Sequence, residues 1–340
     1  MGKEIIKKIH ESLTSHAILS KNIGLLNGKM GVGLYMFEAA RQNHQPDLQK
    51  LAERMVNNVV EQLETVEITN NGFEDGLTGI VFGLEYLVRE RLIFPEDENS
   101  FMNLNDRIFN AVIDHAENIP IDLTGIVGCL FYLYPKLAFD NLGTVELRYT
   151  KRLAIELVNI LSLKIVRVEK QFSEPLSFNI LWNLPLILLS LGKMWKLHLY
   201  DLKIRHIVEQ LSPVILSLFP QIHANRLYLL LAMKVLNNLS IPGWAEHVSL
   251  LEQNISMKRI VNEEFKNRAI AIKNGISGVS LICDQLTILD SKNPFRIKYE
   301  ELERKISESE YWAQQFEDNI GILYGNTGIG LALLKNKKNK

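Results

Sequence analysis

The chain spends its glycine in bursts, and an apolar run follows each burst. "GLLNGKMGVGLYMF" from Gly24, "GFEDGLTGIVFGLEYL" from Gly72, "IDLTGIVGCLFYL" from Ile121, "AIKNGISGVSLI" from Ala271 and "GILYGNTGIGLALL" from Gly321 share a G-x-x-G opening. These five segments hold sixteen of the chain's 20 glycines, two each in the third and fourth and four in each of the others. A glycine costs roughly 0.5 to 1 kcal/mol relative to alanine inside a helix. A repeated cluster therefore demands either a close backbone approach or positive φ. Recurrence at a long period makes the cluster the opening turn of a structural unit that needs its neighbours to bury its apolar face.

The spacing defines the unit. With Gly28, Gly76, Asp122 in the glycine's place, Gly275 and Gly325 as anchors, neighbouring anchors lie 48, 46 and 50 residues apart, with one long gap between Asp122 and Gly275. That gap has room for two further copies, read in "LWNLPLILL" around Asn183 and "HANRLYLLLAM" around Asn225. Between the turns lie amphipathic segments. Leu48, Leu51, Met55, Val59 and Leu63 recur at helical steps with polar residues between them, as do Leu104, Ile108 and Val112, and then Leu153, Leu157 and Leu161. Apolar helices must be covered all round, whereas amphipathic ones need solvent on one side. Seven helical hairpins in two concentric layers satisfy both conditions. The expectation is a single all-α domain over residues 1–340, an (α/α) toroid whose inner helices start near a shared cavity.

Composition narrows the function. A formal net charge of −1 argues against nucleic-acid binding, which requires a clustered basic surface. The only basic cluster, the C-terminal "KNKKNK", reads as a solvated tail. Cys129 and Cys283 are too few for a disulfide framework and read as buried thiols of a cytoplasmic protein. "MGKEIIKKIHESL" is patterned as an amphipathic helix and not as a signal peptide. The most membrane-like window, residues 176–192, is short and interrupted by two asparagines and a proline, and is expected to be a helix buried in protein, with no transmembrane segment.

Repeated G-x-x-G turns opening apolar helices, in an all-α chain of this length, resemble the lanthionine synthetase C (LanC-like) family. The resemblance covers nearly the whole chain. It implies an α-toroid acting in lantibiotic biosynthesis, where cysteine thiols add to dehydrated serine or threonine of a ribosomally made peptide with the help of a catalytic zinc. The family's C-H-G zinc motif falls on Lys273 and Asn274 before Gly275. Its W-C-Y-G cysteine falls on His223, and its A-H-G catalytic histidine on Trp182. "LSPVILSLFPQI" supplies no counterpart for the family's arginine, and the expected aspartate falls near Asn118, with Asp114 and Asp122 the nearest acids. Lysine ammonium has no lone pair for a metal, and the asparagine amide is a poor zinc ligand.

The expectation is accordingly a zinc-free pseudoenzyme with no cofactor, partnered by a precursor peptide, a dehydratase or both. Cavity and peptide-binding candidates are Trp182, Asn183, Asn225, Lys273, Asn274 and Tyr324. The alternative is a cyclase with a rebuilt site around His223, Asp122 and Glu74. A further reading treats Glu74, Asp75 and Asp122 as carboxylates of a carbohydrate-active toroid, against the plainer role of acids beside helix N-termini.

Overall fold

A computed structural model of the chain describes residues 2–17, 19–65, 68, 70–94, 102–114, 118–139, 142–165, 172–265, 269–314 and 319–338. Among the described residues the structure is helical throughout, with no strand. The first half contributes α1 (Gly2–His16), α2 (Lys29–Asn43), α3 (Pro46–Thr65), α4 (Leu77–Arg89), α5 (Met102–Asp114), α6 (Ile126–Phe139) and α7 (Thr144–Ile165). The second adds α8 (Asn183–Lys196), α9 (Asp201–Ser217), α10 (His223–Val235), α11 (Trp244–Gln253) and the short α12 (Met257–Arg259), which runs into a π-helical turn (Ile260–Glu264). The chain closes with α13 (Ile276–Leu289), α14 (Tyr299–Ser307), α15 (Glu310–Gln314) and α16 (Asn326–Lys338). The seven expected apolar helices are α2, α4, α6, α8, α10, α13 and α16, so both weak copies in the long gap are true repeats.

The described residues fall into two compact units. Unit 1 comprises residues 1–111, 265–281 and 297–340; unit 2 comprises 112–264 and 282–296. In unit 1, α2 packs on α3, α4 and α16, and α1 packs on α16 and α14. The α3 face carrying Leu48, Leu51, Met55 and Val59 is buried as its periodicity predicts. Tyr35 of α2 is fully buried and its hydroxyl meets His10 Nε2 of α1 at 3.0 Å, which satisfies the one polar atom of a large core side chain. In unit 2, α6 packs on α7 and α8, and α10 on α8 and α11. Trp244 is buried and donates from Nε1 to the Met233 carbonyl at 3.1 Å.

The glycine turns of unit 1 owe their sequence to close approach. Gly76 has φ −106°, ordinary extended backbone, yet a Cβ there would lie 2.4 Å from the Asn70 carbonyl oxygen and 2.5 Å from the Gly72 nitrogen. Gly325 repeats the geometry against the Asn319 carbonyl at 2.2 Å. Each turn folds back so that an asparagine carbonyl accepts the first helical N–H: Lys29 donates to Asn22, Leu77 to Asn70 and Asn326 to Asn319, each at 2.9 Å. The Asn22 and Asn70 side chains accept from Gly24 and Gly72, both at 2.8 Å. Three of the turns thus share an N-x-G-x-x-x-G-x-x-G pattern.

Neighbouring turns of unit 1 are also stitched together. Leu26 donates its backbone N–H to Glu74 at 2.7 Å, Ile322 donates to Leu26 at 2.6 Å, and Lys273 donates to Leu323 at 2.9 Å. The last repeat therefore joins the first through main-chain bonds, the arrangement a closed run of repeats needs.

Three expectations require correction. Gly125, not Asp122, takes the anchor glycine's place: it immediately precedes α6, and Ile126 donates to Pro120 at 2.8 Å across a loop one residue shorter than the others. Asp122 sits three residues earlier, its carboxylate accepting from the Thr124 backbone at 2.9 Å and hydroxyl at 2.6 Å. Residues 176–182 of the membrane-like window are not helical, Leu176 is fully exposed, and α8 begins only at Asn183. Among the described residues no helix is long and apolar enough to cross a membrane. Finally, the basic C-terminus continues α16 as far as Lys338. Asn336 is buried there and donates to Ser280 Oγ at 3.0 Å and the Ile297 carbonyl at 2.9 Å, and residues 339–340 lie outside the described residues. Cys129 and Cys283 are buried and outside any disulfide, as expected, and burial, with Asp284 beside it, pushes the Cys283 thiol far above its ordinary range.

Candidate functional site

In unit 2 the candidate residues gather at the start of α10. His223 opens that helix without a glycine turn, so its N–H groups need other partners. Two carboxylates supply them. Glu174 accepts from the Gln221 and Ile222 backbones at 2.7 and 3.0 Å, and Glu264, the last residue of the π turn, accepts from His223 and Ala224 at 2.7 and 3.0 Å. Neither glutamate was marked by the sequence, because each lies 40 or more residues from its partner.

The His223 ring is used within this network. Its Nδ1 accepts from the Ser256 backbone N–H at 3.2 Å and faces Arg226 Nη1 at 3.5 Å. A ring nitrogen that accepts a backbone N–H is unprotonated, so the neutral imidazole carries its proton on Nε2. Burial, with the Arg226 cation next, lowers His223 below the usual histidine range, against a smaller upward pull from Glu264. As placed, the ring offers no free lone pair to a proton or a metal. Metal-bound histidine has the opposite polarity, donating its second nitrogen to an acceptor.

The other unit 2 candidates also serve the scaffold. Asn225 is 0% exposed and donates from Nδ2 to Glu174 Oε1 at 3.0 Å. Trp182, 4% exposed, precedes α8 and donates from Nε1 to the Phe172 carbonyl at 3.1 Å, so its indole anchors the core and does not line an open surface. Asn183 is half-buried at the first position of α8.

In unit 1, Glu74 is half-buried, with its carbonyl engaged by Leu26, and Asp75 accepts from the Asn27 backbone at 3.0 Å and side chain at 2.8 Å. Glu74 belongs to unit 1, and Asp122 and His223 belong to unit 2. Within unit 2 the His223 backbone N–H is bonded to Glu264 and its ring to the Ser256 backbone, with Arg226 facing it.

The structure does bring Lys273 and Tyr324 together. The turn before α13 lies against the turn before α16 through the Lys273–Leu323 backbone bond, and the Lys273 ammonium hydrogen-bonds the Tyr324 hydroxyl, 4.5 Å from the ring centroid. Tyr311 donates from its hydroxyl to the Tyr324 carbonyl at 2.9 Å. Lys273 is half-buried, Asn274 exposed, and Tyr324 41% exposed.

The zinc implied by the resemblance does not fit these donors. Lys273 has no lone pair and is engaged by Tyr324, Asn274 is an exposed amide, and the His223 lone pair is taken by Ser256. Among the described residues no three His, Cys, Asp or Glu side chains converge to hold a metal ion.

Comparison with known proteins rests on structure. No family model matches the sequence, and no curated protein matches it significantly. Among solved structures, the all-helical toroid nisin cyclase is similar with a TM-score of 0.73 and 16% sequence identity, covering 99% of this chain and 94% of that one. At that identity the likeness defines the fold: the chain has a LanC-like α-toroid fold, as the glycine rhythm predicts.

Proposed function

We propose that this protein is a LanC-like component of a ribosomal-peptide modification system of the lanthipeptide type, which binds a precursor peptide or its dehydratase and holds no zinc of its own. Two supports converge. The fold likeness to nisin cyclase, an enzyme named for acting on nisin, runs over nearly the whole of both chains. The observation that carries the zinc-free part is the His223 ring, whose Nδ1 lone pair is directed to the Ser256 N–H. What remains accessible among the candidates is a set of peptide-binding groups, Lys273, Asn274 and Tyr324, and not a set of metal ligands.

In this reading the chain's residues bind and orient, and the covalent chemistry belongs to a partner. The test is calorimetric titration of the purified protein with the precursor peptide encoded beside its gene, and with the companion dehydratase, in buffer containing a chelator. Saturable binding of either one is the expected result. Failure of both to bind overturns the reading.

A further inference from the structure

We propose that Lys273 and Tyr324 form a docking station for a carboxylate of the bound peptide, an inference that rests on the peptide-binding reading above. An ammonium has three N–H groups, and Lys273 gives one to the Tyr324 hydroxyl. Among the described residues no acid pairs with Lys273, and no acceptor takes the Tyr324 O–H. Two N–H donors and one O–H donor are therefore unspent in a single half-exposed pair. The Lys234 ammonium in unit 2, by contrast, lies 2.5 Å from Glu252 and 3.7 Å from Asp290.

The pair is also preorganised. The Lys273 backbone is fixed by its bond to Leu323, its ammonium is held at the Tyr324 hydroxyl, and the Tyr324 backbone carbonyl is held by Tyr311. The long, flexible lysine side chain is thus already confined by contacts that leave its charge accessible, which reduces the ordering cost of binding. Lys273 and Tyr324 lie in the turns that lead into α13 and α16, so the positive ends of two helix dipoles reinforce the ammonium. A positive field with N–H and O–H donors side by side matches a group with two adjacent anionic oxygens. On a peptide that group is an Asp or Glu side chain or the free C-terminus.

Site-specific footprinting of the full chain tests this. Lysines are acetylated briefly with an N-hydroxysuccinimide ester and read by mass spectrometry, with the exposed Lys7 as internal control. Three Gly/Ser decapeptides serve as probes at millimolar concentration: one with a single Glu and an amidated C-terminus, one with a free C-terminus and no Glu, and one with Gln and an amidated C-terminus. Protection of Lys273 by the Glu peptide identifies a side-chain carboxylate, and protection by the free C-terminus identifies the terminal one. In either case Tyr324→Phe, checked for an unchanged melting temperature, requires about tenfold more peptide for the same protection. Equal protection by all three probes, or by none, overturns the carboxylate station. Titration with the precursor peptide still decides separately whether the peptide-binding reading stands.

Discussion

The N-terminal turns of α2, α4 and α16 in unit 1 and that of α10 in unit 2 meet the same requirement with different chemistry. In unit 1 the first helical N–H groups return to carbonyls of their own loops, and neighbouring turns are joined by main-chain bonds. This demands glycine, because the backbone strands approach more closely than a Cβ allows. At α10 no such loop exists, and Glu174 and Glu264 reach in from distant segments to accept the same kind of N–H. The first solution is steric and local, the second electrostatic and long-range. A single fold can therefore keep its repeat geometry after the repeat's sequence signature has gone.

Substitutions should separate the two solutions. Gly76→Val forces a side chain into the Asn70 carbonyl and should destabilise the protein by about 3 kcal/mol or more, read as a shift in the urea midpoint and insensitive to added salt. Glu264→Gln removes the charge beside the α10 N-terminus, loses one of the two bonds because the amide nitrogen cannot accept, and weakens the other, for a loss of about 2 kcal/mol whose charge-dependent part shrinks as salt rises. Equal salt dependence in the two variants would erase the distinction. Asp75→Ala removes two hydrogen bonds to Asn27 between neighbouring glycine turns and should cost about 1 kcal/mol by the same measurement.

The smallest effect concerns pH. His10, His223 and His247 all have folded pKa values below the usual 6.5, chiefly through burial. As pH falls through 6.5 the unfolded chain takes up these protons first. The stability from keeping the rings neutral is therefore complete above 6.5 and is lost as pH falls toward the lower folded values. The urea midpoint should decline between pH 7.5 and 5.5, and His223→Gln should flatten part of that decline. An unchanged slope would mean that the neutral, accepting His223 ring is wrongly assigned.

The contrast also explains what could be read in advance. Steric demands leave a mark in the sequence: where the chain needs glycine, only glycine appears, so the starts of α2, α4, α13 and α16 were legible from G-x-x-G. The starts of α8 and α10 were legible only from their apolar runs. The third turn was misread at Asp122 because its loop is one residue shorter, which hid the equivalence of Gly125 with Gly76. Glu174 and Glu264 left no mark, since many exposed glutamates would look the same and only the folded chain brings these two to α10. Asn336 was illegible for a related reason, as a polar residue within a basic run whose partners, Ser280 and Ile297, are distant in sequence.

The proposed absence of zinc from this LanC-like fold can be tested directly. The most direct measurement is elemental mass spectrometry of zinc per chain, on protein purified from zinc-supplemented cells without chelator. The expected ratio is far below one, unchanged in His223→Ala. About one zinc per chain, lost in that variant, would contradict it.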